Sequence, residues 1–321
     1  MTAPTGTFQT FQAIGEREDL EDIIYDISPT DTPFMANAKR LKAKNVFHEW
    51  QTDALAAASS TNAVIEGDDA TTNTAAPTVR LGNYCQISTK VPRVTGTLRA
   101  VDTAGRADEM DYQTAKMGRE LKRDIESALL GLQAATAGGA ASARALAGVA
   151  SWLWTNQRQK GASATTPTVT SGAPLTAPTA GTTATFVEAD LKAVLKSCWD
   201  AGGDPNVVML NSFNKQLASA FTGIATQYRD NPQKGPATII GAADVYVHDF
   251  GTVQIVANRF VPAANVYALD MEYWGVAYLR PLQRFALAKT GDSDRMELLA
   301  EYTLCAHAPD SSGKVYSTTT S

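Results

Sequence analysis

The residues in this chain whose side chains can do chemistry are few and far apart. Its three histidines, His48, His248 and His307, are separated by about 200 and about 60 residues, with no second His or Cys at the spacing a metal site needs. Imidazoles placed this way read as core or surface groups. The three cysteines, Cys85, Cys198 and Cys305, are odd in number and form no C-x-x-C pair, so they read as buried free thiols. Asp292 and Asp294 invite comparison with a calcium loop, but the Gly and distal Glu that complete such a loop are missing and a solvated turn fits better. Asp68 and Asp69 read as a loop tip, and Gly202-Gly203-Asp204-Pro205 as a helix stop rather than a phosphate cradle. No G-x-S-x-G, G-x-x-x-x-G-K-[ST], strand-linked G-x-G-x-x-G or H-E-x-x-H pattern occurs. An α/β hydrolase or transferase would need a nucleophile–base pair or a phosphate loop, and neither is present, so no enzymatic activity, cofactor or metal is expected.

The composition points elsewhere. With 321 residues, 44% of them hydrophobic, the chain can build one large core or two interleaved ones. Charged residues make up 19%, below the usual quarter, so much of the surface is weakly charged and suited to extensive protein–protein contact. The net charge of −5, without a basic stripe interleaved with aromatics, argues against reading of nucleic-acid sequence while leaving incidental contact open. Residues 1–19 hold no basic segment leading into an apolar run, and no stretch of about eighteen apolar residues occurs, so the expectation is a soluble chain made in a reducing cytoplasm without membrane contact.

Along the chain, Glu18 to Tyr25 reads as a short helix that Ser28-Pro29-Thr30-Asp31-Thr32-Pro33 breaks, within an extended arm. Alternation predicts strands over Asn45–Asp53 and Val79–Val94, joined by a long Ala/Ser/Thr/Asp-rich loop from Ala54 to Pro77. Met110, Thr114, Met117, Leu121, Ile125, Ala128 and Leu132 recur at helical spacing. The predicted helix is capped at Asp102 or Thr103, ends at Gly138-Gly139 and spans about thirty residues, with Asp108, Glu109, Arg119, Glu120, Lys122, Arg123 and Glu126 on its solvent face. Ala134 to Thr185, rich in Ala, Gly, Ser, Thr and Pro, reads as a mostly irregular surface insertion. Beyond it the pattern predicts helices over Val187–Asp200 and Ser212–Thr222 and a buried strand at Val207–Leu210. A hairpin follows, Asp244–Asp249 and Val253–Asn258, turning through Phe250-Gly251-Thr252, and then strands at Val266–Asp270, Trp274–Leu279 and Met296–Ala306.

Several of these segments resemble the major head (capsid) proteins of tailed bacteriophages, which have the HK97-like fold. Ile24-Tyr25-Asp26-Ile27-Ser28-Pro29-Thr30-Asp31-Thr32-Pro33-Phe34 is similar to the start of the mature arm in one large group of them. Val256-Ala257-Asn258-Arg259-Phe260, Val266-Tyr267-Ala268-Leu269-Asp270, Glu272-Tyr273-Trp274 and Ala277-Tyr278-Leu279-Arg280-Pro281 resemble the A-domain core. Leu287-Ala288-Lys289-Thr290-Gly291-Asp292-Ser293 and Glu301-Tyr302-Thr303-Leu304 resemble the closing strand.

The resemblance implies an α+β, HK97-like capsid fold divided into an N-terminal arm (1–44), a projecting E-loop (45–95) and a P-domain on a long spine helix (96–185, helix 102–135, with the Gly/Ala/Thr-rich insertion). It further implies an A-domain (186–290, including the hairpin 244–258 as part of the P-domain) and a returning P-domain strand with a C-terminal tail (291–321). The implied function is self-assembly into hexamers and pentamers that form an icosahedral head around double-stranded DNA, contacted non-specifically. A homo-oligomeric shell, a separate scaffolding protein and a portal are the expected partners, and a decoration protein is left open. No long helical scaffold segment precedes the arm, which is why the scaffold is expected as a separate chain. Some family members cross-link through a loop lysine and a distant asparagine, but no such pair stands out here and non-covalent assembly is expected. Glu16, Arg17 and Asp19 on the arm and Trp50 and Tyr84 on the E-loop strands are the expected inter-subunit contacts. The rival within the same fold is a cellular nanocompartment shell, which encloses cargo rather than DNA.

Overall fold

The computed structural model describes residues 31–69, 75–101, 108–162, 164–221 and 244–320. The arm helix expected over Glu18–Tyr25 and the contact residues Glu16, Arg17 and Asp19 lie outside the described residues.

The described chain opens with a single helical turn, α1 (Pro33–Asn37), and strand β1 (Lys39–Lys42). The alternating Phe47, Glu49 and Trp50 region then forms β2 (Phe47–Thr52), which pairs antiparallel with β3 (Val79–Tyr84) from Phe47↔Tyr84 to Thr52↔Val79. The single strand expected across Val79–Val94 is instead three short ones: β3, β4 (Gln86–Lys90) and β5 (Arg93–Thr95). The chain turns at Cys85, whose N–H donates to the Val46 carbonyl at 2.8 Å, and again at Pro92, which has no N–H to give a ladder. Thr95 then caps a short helix, α2 (Gly96–Ala100).

The periodic segment is α3 (Glu109–Leu130), 22 residues long, which is about 33 Å at 1.5 Å per residue rather than the thirty residues expected. Its cap is Asp108, whose carboxylate accepts from Met110 N–H at 2.9 Å, not Asp102 or Thr103, which lie outside the described residues. It ends at Gly131, short of Gly138-Gly139, because the returning chain arrives there: a Cβ on Gly148 would stand 2.2 Å from the Gly131 carbonyl oxygen. The free carbonyls at this buried end are satisfied by the Gln133 side-chain amide on the Ala128 carbonyl and the Tyr267 hydroxyl on that of Leu130, at 3.0 Å for the latter.

Residues 134–185 are mostly irregular, as expected, but the segment is not wholly surface, because residues 146–153 run through the core. Leu146, Ala147, Val149, Ala150, Trp152 and Leu153 are fully buried around α4 (Val149–Trp152), β6 (Asn156–Gln159) joins a main sheet, and β7 (Val169–Thr170) and β8 (Ala173–Pro174) form a small hairpin. Composition misled because a few large apolar residues among many small ones suffice to fill a core position.

Downstream, α5 (Glu188–Asp200), β9 (Val207–Leu210) and α6 (Ser212–Ser219) fall where the pattern places them. β10 (Val245–His248) and β11 (Gly251–Ala257) form the expected hairpin, but on the tighter turn Asp249-Phe250, since His248 pairs with Gly251. β12 (Asn265–Leu269) is followed by β13 (Trp274–Ala286) and β14 (Ser293–Ala306), both longer than expected; β13 runs through Pro281 across a register shift. β15 (Gly313–Tyr316), expected only as tail, is an interior strand.

Two sheets organise these elements. One runs β1-β13-β14-β4, with β5 on the beginning of β14, and carries α3 on one face, where Thr114 meets Met296 and Lys90 pairs with Glu120 and Asp124. The other runs β10-β11-β9-β12-β15-β6, with α5 against β15 and β6. Leu121, Ile125 and Leu129 of α3 belong to one apolar cluster with Trp152, Tyr267, Trp274 and Tyr302, and each such aliphatic side chain contributes about 1.5–3 kcal/mol on burial.

Candidate functional site: assembly surfaces and their anchors

The side chains with reactive chemistry are packing groups. The three cysteines are free and buried, and burial pushes the Cys85 thiol up to about 11 and those of Cys198 and Cys305 to about 12, so all three stay protonated near neutral pH. Burial also lowers the pKa of His48, His248 and His307, keeping the imidazoles neutral. Among the described residues no group of three or more His, Cys, Asp or Glu side chains is arranged to hold a metal ion. An open cavity of about 390 Å³ lies at the foot of the β2–β3 hairpin, lined by Val79, Arg80, Leu81, Trp154, Val169 and Gly172, and offers one cation and no acid, base or nucleophile.

What the fold positions instead is exposed surface on rigid roots. Residues 53–69 and 75–78 of the loop between β2 and β3 are exposed along their whole length, and three apolar side chains stand free on it: Leu55 at 100%, Val64 at 80% and Ile65 at 79% exposure. The root beneath is tightly held. Trp50 is buried against Trp152, ring centroids 5.3 Å apart, and His307, at 5.7 Å, while Tyr84 packs on Phe47 at 4.6 Å across the hairpin. Asn83, fully buried, donates to the carbonyls of Ala147 and Leu304 and accepts from the N–H groups of Ala147 and Tyr84, all within 2.9–3.1 Å. This one amide joins β3, the 134–185 segment and β14. Glu301 does the same between β13 and that segment, pairing with Arg144 and Arg280 at 2.7 Å each.

Of the expected contact residues, Trp50 therefore lies inside its own chain and Tyr84 is half-buried at the hairpin base, the two on one root with the loop above them. Sequence reading missed Glu126, which heptad-like spacing puts on the solvent face of α3. It is fully buried and accepts from Phe34 N–H at 2.7 Å, Met35 N–H at 2.9 Å and Asn258 Nδ2 at 2.8 Å. Burial raises its pKa while the donors pull it down. No sequence signal pointed to it: Thr32-Pro33 reads as an ordinary helix start, and only the structure shows that the Thr32 side chain makes no capping bond. Trp199 of α5 and Phe250 at the β10–β11 turn form an exposed stacked pair at 4.9 Å, and Val245 and Val247 are exposed on the edge strand β10.

Comparison with known proteins gives this framework its meaning. The family model described as SU10 major capsid protein matches residues 3–319. The major capsid protein of Escherichia phage Phieco32 is 27% identical, with 98% of each chain covered. Among solved structures, the capsid asymmetric unit of cyanophage A-1(L) superimposes with a TM-score of 0.64 at 12% identity, covering 97% of this chain and 98% of that one. A structure of phage G gp27 major capsid proteins with gp26 decoration proteins superimposes with a TM-score of 0.54 at 9% identity, covering 99% and 100%. An α+β chain with two main sheets, a long packed helix and an exposed loop on a locked root thus has the HK97-like fold of phage capsids. The chain belongs to the SU10 major capsid protein family, and it is a structural protein of the phage capsid shell.

Proposed function

We propose that copies of this chain form hexamers and pentamers that close into an icosahedral head around double-stranded DNA, by non-covalent contacts and without catalysis. In this reading residues 1–44 are the arm, 45–95 the E-loop, 96–185 the P-domain with α3 as its spine, 186–290 the A-domain and 291–321 the returning strand and tail. The observation that carries it is the loop over 53–69 and 75–78, whose Leu55, Val64 and Ile65 are uncovered in the single chain although its root is locked. Apolar side chains held out on a rigid root gain burial only against another molecule, and a shell supplies that molecule as another copy. An interface of ~800 Å² per partner, repeated around each subunit, makes the lattice far stronger than any single contact. Trp50 and Tyr84 then serve inter-subunit contact by bracing the loop, and Glu16, Arg17 and Asp19 by reaching a neighbour from the arm.

The partners follow from the geometry of closure. One sequence must occupy both five-fold and six-fold surroundings, so a scaffolding protein that sets curvature, and a portal at one vertex, complete the proposal; a decoration protein of the kind seen on phage G is compatible with it. Assembly is placed in the bacterial cytoplasm. The weakly negative chain suits a container whose DNA must move, because phosphate contacts by many cations would hold it.

Negative-stain electron microscopy with light scattering, on protein expressed with and without a candidate scaffold, tests this directly. Closed shells, tubes or capsomers are expected, and a monomer under both conditions overturns it. Particles that enclose protein cargo and no DNA during infection would assign the same fold to a compartment instead.

A further inference from the structure

We propose that Glu126 is a positioning residue of shell assembly: by clamping the first turn of α1 to α3 and to the segment after β11, it sets where the N-terminal arm joins the body and in which direction it meets a neighbouring copy. This role rests on the reading that arms contact neighbours.

The clamp is built from parts distant in sequence. Glu126 lies 92 residues from Phe34 and 132 from Asn258, and its carboxylate accepts from both and from Met35 N–H while having no exposed surface. α1 has only five residues and no side-chain cap of its own: Pro33 occupies its first turn and Thr32 makes no capping bond. The N–H groups of Phe34 and Met35 are therefore the orphan donors of a helix start, and the carboxylate of another helix satisfies both, with the charge placed where the helix dipole favours it. At the far side, Asn258 gives its Nδ2 to Glu126 and uses its Oδ1 to accept Phe260 N–H at 2.9 Å, so the same carboxylate also orders the turn between β11 and β12.

The remaining ties on α1 are apolar and set no direction by hydrogen bonding: Phe34 and Ala38 are buried in the main apolar cluster and Met35 packs against it. The Phe34 ring meets Trp274 edge-on at 6.2 Å, and β1, which follows, pairs with β13 over only Lys39–Lys42. A glutamine at 126 keeps one acceptor oxygen but sets an NH₂ against one of the two N–H donors of α1, so the charge and both oxygens matter. A purely structural carboxylate would affect stability alone; a positioning one affects the arm's root and shell formation while the sheets stay intact.

The test uses full-length Glu126→Gln, Glu126→Ala and Asn258→Ala beside wild type, with hydrogen exchange on the soluble subunit and assembly followed by light scattering and electron microscopy. For Glu126→Gln and Glu126→Ala, the amides of residues 34–37 are expected to exchange at least ~10-fold faster while those of β13 and β14 keep wild-type rates, and regular shells are expected to fall by a similar factor. Asn258→Ala should move both readouts the same way by less. If Glu126→Ala does not fold, Glu126→Gln decides. Unchanged exchange at residues 34–37, or wild-type shell yield in spite of faster exchange, overturns the role. Failure of wild type to form shells in the same experiment overturns the assembly reading itself and this role with it, whereas normal assembly of both wild type and Glu126→Gln overturns only the role of Glu126.

Discussion

Single residues in this subunit show how differently buried polar and charged groups fare with and without full sets of partners. Glu301 meets two arginines, and Asn83 satisfies its amide four times over, whereas Lys314 is fully buried on the interior strand β15 with one carbonyl, Ala150 at 2.7 Å, and the Tyr316 ring at 5.0 Å. Burial pushes the Lys314 ammonium down to about 7 from 10.5. Because its folded pKa lies below the unfolded one, the unfolded chain holds the proton more firmly; stability is greatest above about pH 10.5 and is lost as pH falls toward 7, at about 1.4 kcal/mol per unit. Lys314→Met, which fills the same volume, is therefore expected to raise unfolding free energy by about 1–3 kcal/mol at pH 7, after the loss of the Ala150 hydrogen bond, with the gain shrinking toward pH 10. Denaturant melts of both proteins across that range check it. In the opposite direction, Glu301→Gln leaves Arg144 and Arg280 without their shared anion and should cost about 1–3 kcal/mol in the same melts. None of these residues was legible as special in the sequence. Lys314 sits in a polar-looking tail and Glu126 on what periodicity makes a wet helix face, because burial of a side chain depends on which distant strand lands beside it.

At the level of elements, the hairpin root combines aromatic rings and neutral imidazoles with an ion pair between Glu49 of β2 and Arg80 of β3 at 3.0 Å. His48 lies 6.1 Å from Trp50, His307 5.7 Å from it, and burial lowers the pKa of both, with the His48 ring and the Lys39 ammonium lowering His307 further. Their folded pKa values are depressed, so the unfolded state takes up protons first as pH falls through about 6.5, and the stability the pair contributes above that pH is lost below it. The melting temperature is expected to drop between pH 7 and pH 5, and His48→Gln with His307→Gln should flatten that drop; an unchanged slope in the double variant would remove the histidines from the account. Element types were mostly readable: β2, α3, α5, β9, α6, β12 and the β10–β11 hairpin fall near where period and turn residues place them. Boundaries were not, and the reasons are tertiary. Gly131 ends α3 because Gly148 packs onto it, and Cys85 breaks the 79–94 run because its two halves pair with different strands.

For the whole molecule, the decisive surface is one the isolated chain does not cover. Leu55, Val64 and Ile65 contact little in the subunit, so replacing all three by Ser is expected to leave its melting temperature within about a degree, as exposed substitutions usually change stability by less than ~0.5 kcal/mol. Each gains about 1.5–3 kcal/mol when buried at a contact, and the shell repeats that contact at every subunit, so light scattering and electron microscopy should show particle yield falling by at least ~10-fold. Wild-type yield from a folded triple variant would move the assembly surface away from this loop. By itself the sequence determined the class of molecule: weak surface charge, a long loop between strands, one long amphipathic helix and an α/β unit in that order, together with blocks that resemble capsid proteins. Those properties are local or compositional, and local patterning carries them. Only the tertiary structure decided that residues 146–153 belong to the core, that β15 lies inside the six-stranded sheet, and that Glu126, Asn83 and the Glu301–Arg144 pair tie segments 64 to 221 residues apart. Such roles arise when a side chain meets groups from remote parts of the chain, and no window of sequence contains both partners.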